Sequence, residues 1–338
     1  MNKYIRMKKT NISLIGCGAV AEYYHLPVLQ RMPEFNIKYL VDLDQNRSTY
    51  LKKLYRLESE TVDDLDIVLK DDQVDAVLLL TPPKLHKDQI IEVARAGKHI
   101  FCEKPLSMNN KEAKEILQVC KQENVNLLVG YQMRFDGKYS KIKELITKNM
   151  FGKIVGGHGL HFANAFEWPS ITKFQTDRSQ GGGALFEMMH FVDLATWFFG
   201  KAISLQSRIL TKNKKSQVDD SAYLSINFEK DVCVSLHIGW NKLTVNSFTV
   251  FGTEGYVRAL SDTKKLHFHA KDLLAQPPIL IRPNHSISPF HDELLHFHNI
   301  VQGKEKPITT PDEILQNSVI IEKSYDQQTE KNLILLEE

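Results

Sequence analysis

Cysteine is scarce, with four residues in 338, at positions 17, 102, 120 and 233, and none in a Cys-x-x-Cys pair. Isolated thiols of this kind exclude a zinc ribbon or a disulfide framework and suit a reducing compartment, so a cytoplasmic protein is expected. Long apolar runs are also missing. The best, Ala76-Val77-Leu78-Leu79-Leu80, is a strand's length, far short of the roughly 20 residues that cross a bilayer. The basic start, Met1 to Thr10, resembles the first region of a signal peptide, but Gly16, Gly18 and Glu22 interrupt the apolar stretch that would have to follow. No export signal is therefore read, and no membrane partner. Charge of one sign is lacking as well. Lys+Arg 43 against Asp+Glu 41 gives a net +2, with no basic surplus to neutralise a nucleic acid.

What remains is the composition of an ordinary globular protein, 42% hydrophobic and 25% charged. Its length suggests two domains at roughly 150 residues each. Up to about residue 130, short apolar runs alternate with amphipathic stretches. Asn11–Ile15, Ile37–Val41, Ala76–Leu80, His99–Phe101 and Leu127–Val129 lack clean polar alternation, as strands covered on both faces do. Helices are expected at about 19–31, 45–57, 84–96 and 109–123, the last capped by Asn109 or Asn110. Such alternation predicts an α/β fold whose N-terminal domain is a doubly wound parallel sheet.

The sharpest local signal closes the first strand: Gly16-Cys17-Gly18-Ala19-Val20-Ala21. Gly16 permits a tight turn, Gly18 lets the backbone approach a pyrophosphate, and the following helix N-terminus offers free N–H groups. A tight strand-to-helix turn without a ligand is the alternative for the same glycines. Asp42 ends the second strand, where a carboxylate can accept hydrogen bonds from adenosine ribose hydroxyls, or can cap the next helix. With Asp44 it repels a 2′-phosphate, which favours NAD over NADP, while nearby Arg47 could recruit that phosphate. Two further strand ends are unusual. Thr81-Pro82-Pro83-x-x-His86 stops one strand abruptly, and Glu103-Lys104-Pro105 ends the next, with Pro105 holding Lys104 extended. A lysine beside a nicotinamide can orient an alcohol oxygen and lower the pKa of a neighbouring base.

Together with Arg134-Phe135-Asp136, Gly181-Gly182-Gly183-Ala184-Leu185 and Gly252-Thr253-Glu254-Gly255, these segments stand in the order found in the glucose–fructose oxidoreductase / inositol dehydrogenase (Gfo/Idh/MocA) family. The chain resembles that family from about residue 10 to 330. The resemblance implies a Rossmann NAD(P)-binding domain, placed here at 1–130. It also implies a substrate-binding and oligomerisation α/β domain with a large, mostly antiparallel sheet, placed at 131–338. The implied activity is hydride exchange between nicotinamide and a sugar, polyol or sugar derivative. Carried over by position, Gly16, Gly18, Ala19 and Val20 would line the pyrophosphate and Asp42 the adenosine ribose. Thr81, Pro82 and His86 would border the cofactor cleft. Glu103 and Lys104 would lie near the nicotinamide. Arg134 would hold an anionic group on the substrate or pair with an acid. A homodimer or homotetramer through the C-terminal sheet is implied too.

One segment departs from the family, which usually reads Asp-x-x-x-His after the glycine run. Here Phe186 stands four residues before His190, and Glu187 three before it. On a continuous helix Glu187 lies about 100° around from Phe186, so the acid partner of His190 stays open between Glu187 and Asp193. His190 is the expected proton acceptor, since imidazole titrates near neutrality, and a buried core histidine is the alternative. Beyond it, Lys153–His161, Ala202–Leu210, Ser221–Phe228, Val232–Ile238 and Ser247–Phe251 read as strands. Trp168, Lys173, Trp240 and Asn241 are candidate substrate contacts. His158 and His161 fall on opposite faces of a strand, and His291, His296 and His298 lack a carboxylate or cysteine set at ligand spacing, so no metal is expected. The altered helix leaves a second function class in view, a dinucleotide-binding sensor or regulatory protein whose chemistry has changed.

Overall fold

The structure, a computed structural model, describes residues 8–165, 173–212, 217–240, 243–273 and 276–326. By internal compactness the chain divides into two units, Met1–Asp136 with His285–Ile314, and Gly137–Asn284 with Leu315–Glu338. A single cut at 130 would have left His285–Ile314 in the second.

Among the described residues, six strands build the first unit: β1 (Thr10–Ile15), β2 (Phe35–Val41), β3 (Glu60–Val62), β4 (Ala76–Leu79), β5 (His99–Glu103) and β6 (Leu127–Gly130). They pair in the order β3-β2-β1-β4-β5-β6, all parallel, the doubly wound arrangement expected. Every position of β4 is buried, which explains its unbroken apolar sequence. The crossovers carry α1 (Leu26–Leu29), α2 (Gln45–Leu54), α3 (Leu65–Lys70), α4 (Pro83–Arg95) and α5 (Asn110–Gln122). Side-chain caps start three of them: Asp44, Asp64 and Asn109 each accept a hydrogen bond from a first-turn N–H. The helix after the glycine loop, which begins at Ala19, passes into a π-turn at Ala21–His25, a geometry frequent at functional sites.

The second unit holds an eight-stranded sheet of β7 (Ile154–Ala163), β8 (Ala202–Leu210), β9 (Ser221–Phe228), β10 (Val232–Trp240), β11 (Val245–Gly252), β12 (Gly255–Leu260), β13 (Leu266–Ala270) and β14 (Ile279–Ile281). Their order is β14-β13-β12-β11-β7-β10-β9-β8, antiparallel except for the β7–β10 pair. Helices α6 (Gly137–Thr147), α7 (Ala184–Glu187) and α8 (His190–Phe199) accompany it. Helix α8 is buried almost all round, as its apolar sequence requires, with Phe191 and Phe198 set 5.3 and 5.4 Å from the Phe248 ring of β11. The chain then returns to the first unit through α9 (Pro289–Val301). There Leu294, Phe297 and Ile300 join Ile12, Leu14, Leu78 and Phe101 in one core. A final helix, α10 (Pro311–Asp326), starts on a capping box in which Glu313 accepts from the Thr310 N–H at 2.9 Å and Thr310 Oγ1 from the Glu313 N–H at 3.3 Å. No helix among the described residues is long and apolar enough to cross a membrane.

Three histidines of the first unit, His86, His99 and His298, are pushed by burial below the ordinary imidazole value. The folded chain then binds fewer protons at these sites than the unfolded chain. Their stabilising contribution is complete above about pH 6.5 and is lost as pH falls below it, through their folded values. Urea midpoints measured from neutral to mildly acidic pH are expected to drop below about pH 6.5, with a shallower drop in His298→Gln. Midpoints that hold steady or rise on acidification contradict this.

Candidate active site

The carboxyl edge of the parallel sheet is organised around the end of β1. Gly16 has a φ of +96°, and a Cβ built there would lie 2.9 Å from the Leu80 carbonyl carbon and oxygen and 3.0 Å from the Thr81 nitrogen. The loops after β1 and β4 therefore touch through backbone, at the point where the strand order reverses. Gly18 is the opposite case: it is exposed, and nothing lies within 4 Å of its missing Cβ. Glu22 is the first residue whose N–H reaches back into the turn, to Gly18 O at 3.1 Å. The N–H groups of Ala19 and Val20, both half-buried, precede it and lie outside the intrahelical ladder. Open space over Gly18 beside those donors is the cradle that a diphosphate needs, so these residues fit the group.

Asp42 holds this loop from the side. Its Oδ2 accepts from the Cys17 N–H at 2.7 Å, and its Oδ1 from the Asp44 N–H at 2.9 Å. The cap of α2 is Asp44, not Asp42. Arg47 approaches the same loop, its Nε donating to Cys17 O at 2.8 Å and its terminal nitrogen pairing with Glu22. The Cys17 thiol is pushed up to about 12 by burial, with the Asp42 charge adding and Arg47 opposing, so it has no thiolate chemistry near neutrality.

The two neighbouring strand ends are stapled by His86. Its Nδ1 lies 2.9 Å from Pro105 O and its Nε2 2.8 Å from Thr81 O, and its ring is fully buried. His86 thus acts on this edge from between the two carbonyls, donating its single N–H to one of them when neutral, and not by presenting its ring. Thr81 Oγ1 donates to Gln89 Oε1 at 2.6 Å, and Pro82 precedes Pro83 at the first position of α4. Beyond β5, Glu103 is buried and half-buried Lys104 follows it. His25 Nε2 donates to Glu103 Oε1 at 2.7 Å, and the Lys104 N–H to Glu103 Oε2 at 3.2 Å. Burial alone would raise the Glu103 carboxyl, but the bond and charge of His25 and the charge of Lys104 prevail and hold it below the usual range. His25 escaped the sequence reading: it stands seven residues past Gly18 and no local motif marks it. Arg134 is fully buried, 3.0 Å from Glu313 and over the Tyr131 ring, so an acid of its own unit already balances its charge.

In the second unit the glycine run is explained by Asp219. A Cβ on Gly183 would lie 2.2 Å from Asp219 Oδ1. That carboxylate accepts from the Leu185 N–H and the Tyr325 hydroxyl, each at 2.8 Å. Burial raises the Asp219 carboxyl despite those bonds. The helix assumed to run continuously through His190 is broken: α7 ends at Glu187, and α8 begins at His190 after a turn at Met188 (φ −110°, ψ 26°). The angular comparison of Phe186 with Glu187 along one helix therefore does not apply. Phe186 is buried beneath the Arg178 guanidinium, 4.2 Å from its ring centre. Glu187 is half-buried, with Gln175 Nε2 3.4 Å from its carboxylate. Asp193 is buried and accepts from Asn317 Nδ2 at 2.8 Å. His190 is buried with its ring 5.9 Å from that of His161, which stacks on Phe191. Lys173 opens a short 3-10 turn, its side chain outside the described part; Trp168 and Asn241 lie outside the described residues. No group of three or more His, Cys, Asp or Glu among the described residues is placed to hold a metal.

Comparison with known proteins follows the same division. Residues 10–131 match the model of an oxidoreductase family with an NAD-binding Rossmann fold, and residues 139–258 match the C-terminal domain model of that family. Among relatives, a myo-inositol 2-dehydrogenase of Thermotoga maritima is 28% identical over 192 residues, which are 57% of this chain and 55% of that protein. An uncharacterized oxidoreductase of Bacillus subtilis is 31% identical over 199 residues, 58% and 56% of the two chains. The chain thus spans little more than half the length of either relative. In three dimensions it is similar to an aldose–aldose oxidoreductase from Caulobacter crescentus solved with glycerol, at a TM-score of 0.85 and 20% identity, covering 97% of this chain and 100% of that one. A 3-ketoreductase from Actinomadura kijaniata, solved with NADP and TDP-benzene, gives a TM-score of 0.81 at 19% identity, covering 94% and 98%. Two models from one family, met in chain order over most of the sequence, place this chain in the Gfo/Idh/MocA oxidoreductase family.

Proposed function

We propose that this chain is an NAD(H)-dependent oxidoreductase acting on a sugar, polyol or sugar derivative. The observation that carries the proposal is the β1 loop, in which Gly16 is pressed on the Leu80–Thr81 backbone while the space over Gly18 stays open beside the Ala19 and Val20 N–H groups. Asp42 and Asp44 at the end of β2 place negative charge where a 2′-phosphate would sit, which supports NAD over NADP. When bound, NAD supplies a hydride acceptor. The protein's own residues then divide the remaining work. Lys104, which follows β5 in the same unit as the cradle, polarises the substrate hydroxyl oxygen as the C–H hydride leaves, so the alcohol becomes a carbonyl, and in reverse a ketone is reduced; His190 is the proton acceptor proposed from the second unit. Glu103, kept anionic by His25, fixes the backbone of Lys104. Four cysteines without a disulfide, three of them buried, support a cytoplasmic setting. The eight-stranded sheet supports a homodimer or homotetramer. Light scattering showing a 38.8 kDa particle at working concentrations would remove that part of the proposal.

A second reading has a specific observation behind it. Phe186 is buried under Arg178, and the Asp193 carboxylate is held by Asn317. These would suit a dinucleotide-binding sensor that has lost turnover.

Mixing the protein with NAD and a panel of inositols, sugars and sugar phosphates is expected to raise absorbance at 340 nm. His190→Ala and Lys104→Met should each lower kcat/KM by about 100-fold or more. Bound dinucleotide with no turnover across the panel supports the sensor instead. The two glycines separate structure from binding. Gly16→Ala should destabilise the fold by about 1–3 kcal/mol, because both its φ and its contact with Leu80 exclude a side chain. Gly18→Ala should leave stability within about 0.5 kcal/mol yet weaken NADH binding. Equal melting losses in both variants contradict the assignment.

A further inference from the structure

The residues around Asp42 form a clasp that the hydride chemistry does not use. Arg47 sits in the first turn of α2, close to where the adenosine ribose would meet Asp42. Free, its guanidinium is the group best shaped to take a 2′-phosphate, through paired N–H donors. It is not free. Its Nε is spent on Cys17 O at 2.8 Å and one of its two terminal nitrogens is paired with the Glu22 carboxylate, so the Nε–Nη2 edge of the fork is already taken. The Glu22 side chain is only 9% exposed against 32% for Arg47, so the acid is the fixed member and the guanidinium the one drawn in. Glu22 is itself held. It follows Ala21 in the π-turn, its backbone carbonyl accepts from the Tyr55 hydroxyl, and its Oε1 lies 3.5 Å from the Tyr50 hydroxyl. Arg47 also lies over the Tyr50 ring, 5.5 Å from its centre.

We propose that Glu22 determines cofactor specificity in this chain: by fastening Arg47 to the glycine loop it withholds the guanidinium nearest Asp42 from a 2′-phosphate, and so keeps the site selective for the dinucleotide that lacks one. The proposal rests on the assignment of the Gly16 loop as a dinucleotide cradle. Charge and geometry act together. Glu22 neutralises Arg47, and Asp42 with Asp44 then leaves the ribose end net negative. Glu22→Gln keeps the shape but reduces the charge-assisted pair to a weaker neutral hydrogen bond and removes the countercharge, so the guanidinium is more easily drawn away to an anion.

Calorimetric titration of the full-length protein with NADH and with NADPH tests this without any turnover. The unaltered protein should bind NADH in preference. Glu22→Gln should raise NADPH affinity by about tenfold while NADH affinity stays within about threefold. Glu22→Ala should act in the same direction, and the double variant Glu22→Gln with Arg47→Ala should return NADPH to its weak starting affinity. An unchanged NADH-to-NADPH ratio in both Glu22 variants, with native circular dichroism, overturns the proposal, as does a gain that persists without Arg47. If folded, unaltered protein binds neither nucleotide, the cradle assignment fails and this proposal falls with it.

Discussion

The close approach of Gly16 to the Leu80–Thr81 backbone is the constraint on which the ligand-facing edge of the first unit depends. At 2.9 Å from a carbonyl there is room for a hydrogen atom and nothing larger. That contact fixes the loop after β1 relative to the end of β4, and the buried ring of His86, packed between Thr81 O and Pro105 O and donating to one of them, carries the register one strand further. The Cys17 N–H bound to Asp42 extends it in the other direction, to β2. Four strand ends, those of β2 and β1 on one side of the switch point and of β4 and β5 on the other, are thereby tied by backbone contacts and buried side chains, leaving the surface above Gly18 unobstructed.

Charge in this unit is managed in pairs. Glu103 remains ionised inside the fold because His25 and Lys104 offset the cost of its burial, and Arg134 is matched by Glu313. Arg47 is matched by Glu22 in the same way. An acid that runs against this pattern is Asp219 of the second unit, whose carboxyl burial has raised even though it accepts from the Leu185 N–H and the Tyr325 hydroxyl. Its work is structural: it occupies the space that a side chain on Gly183 would need.

Much of the parallel sheet was legible because its strands are covered on both faces and so read as unbroken apolar runs: Ala76–Leu79 and Leu127–Gly130 stand within a residue of where those runs end. The edge strand Glu60–Val62 left no such trace, being three residues long and without a buried position. Helix α9 shows an apolar stripe at Leu294, Phe297 and Ile300, but a stripe says that a face is buried and not against which sheet, so its return to the first unit was invisible. The break at Met188 was equally hidden. Neither glycine nor proline marks it, and a run of Phe, Met and Leu reads as helix straight through. His25 is a long-range case: its partner lies 78 residues away in sequence, and local spacing cannot announce such a pair.

A crystal structure with NAD bound tests the central claim most directly. The account predicts the diphosphate over Gly18, within hydrogen-bond distance of the Ala19 and Val20 N–H groups, and the adenosine ribose hydroxyls on Asp42. A dinucleotide seated elsewhere on the chain, with the Gly16–Val20 loop uncontacted, would contradict it.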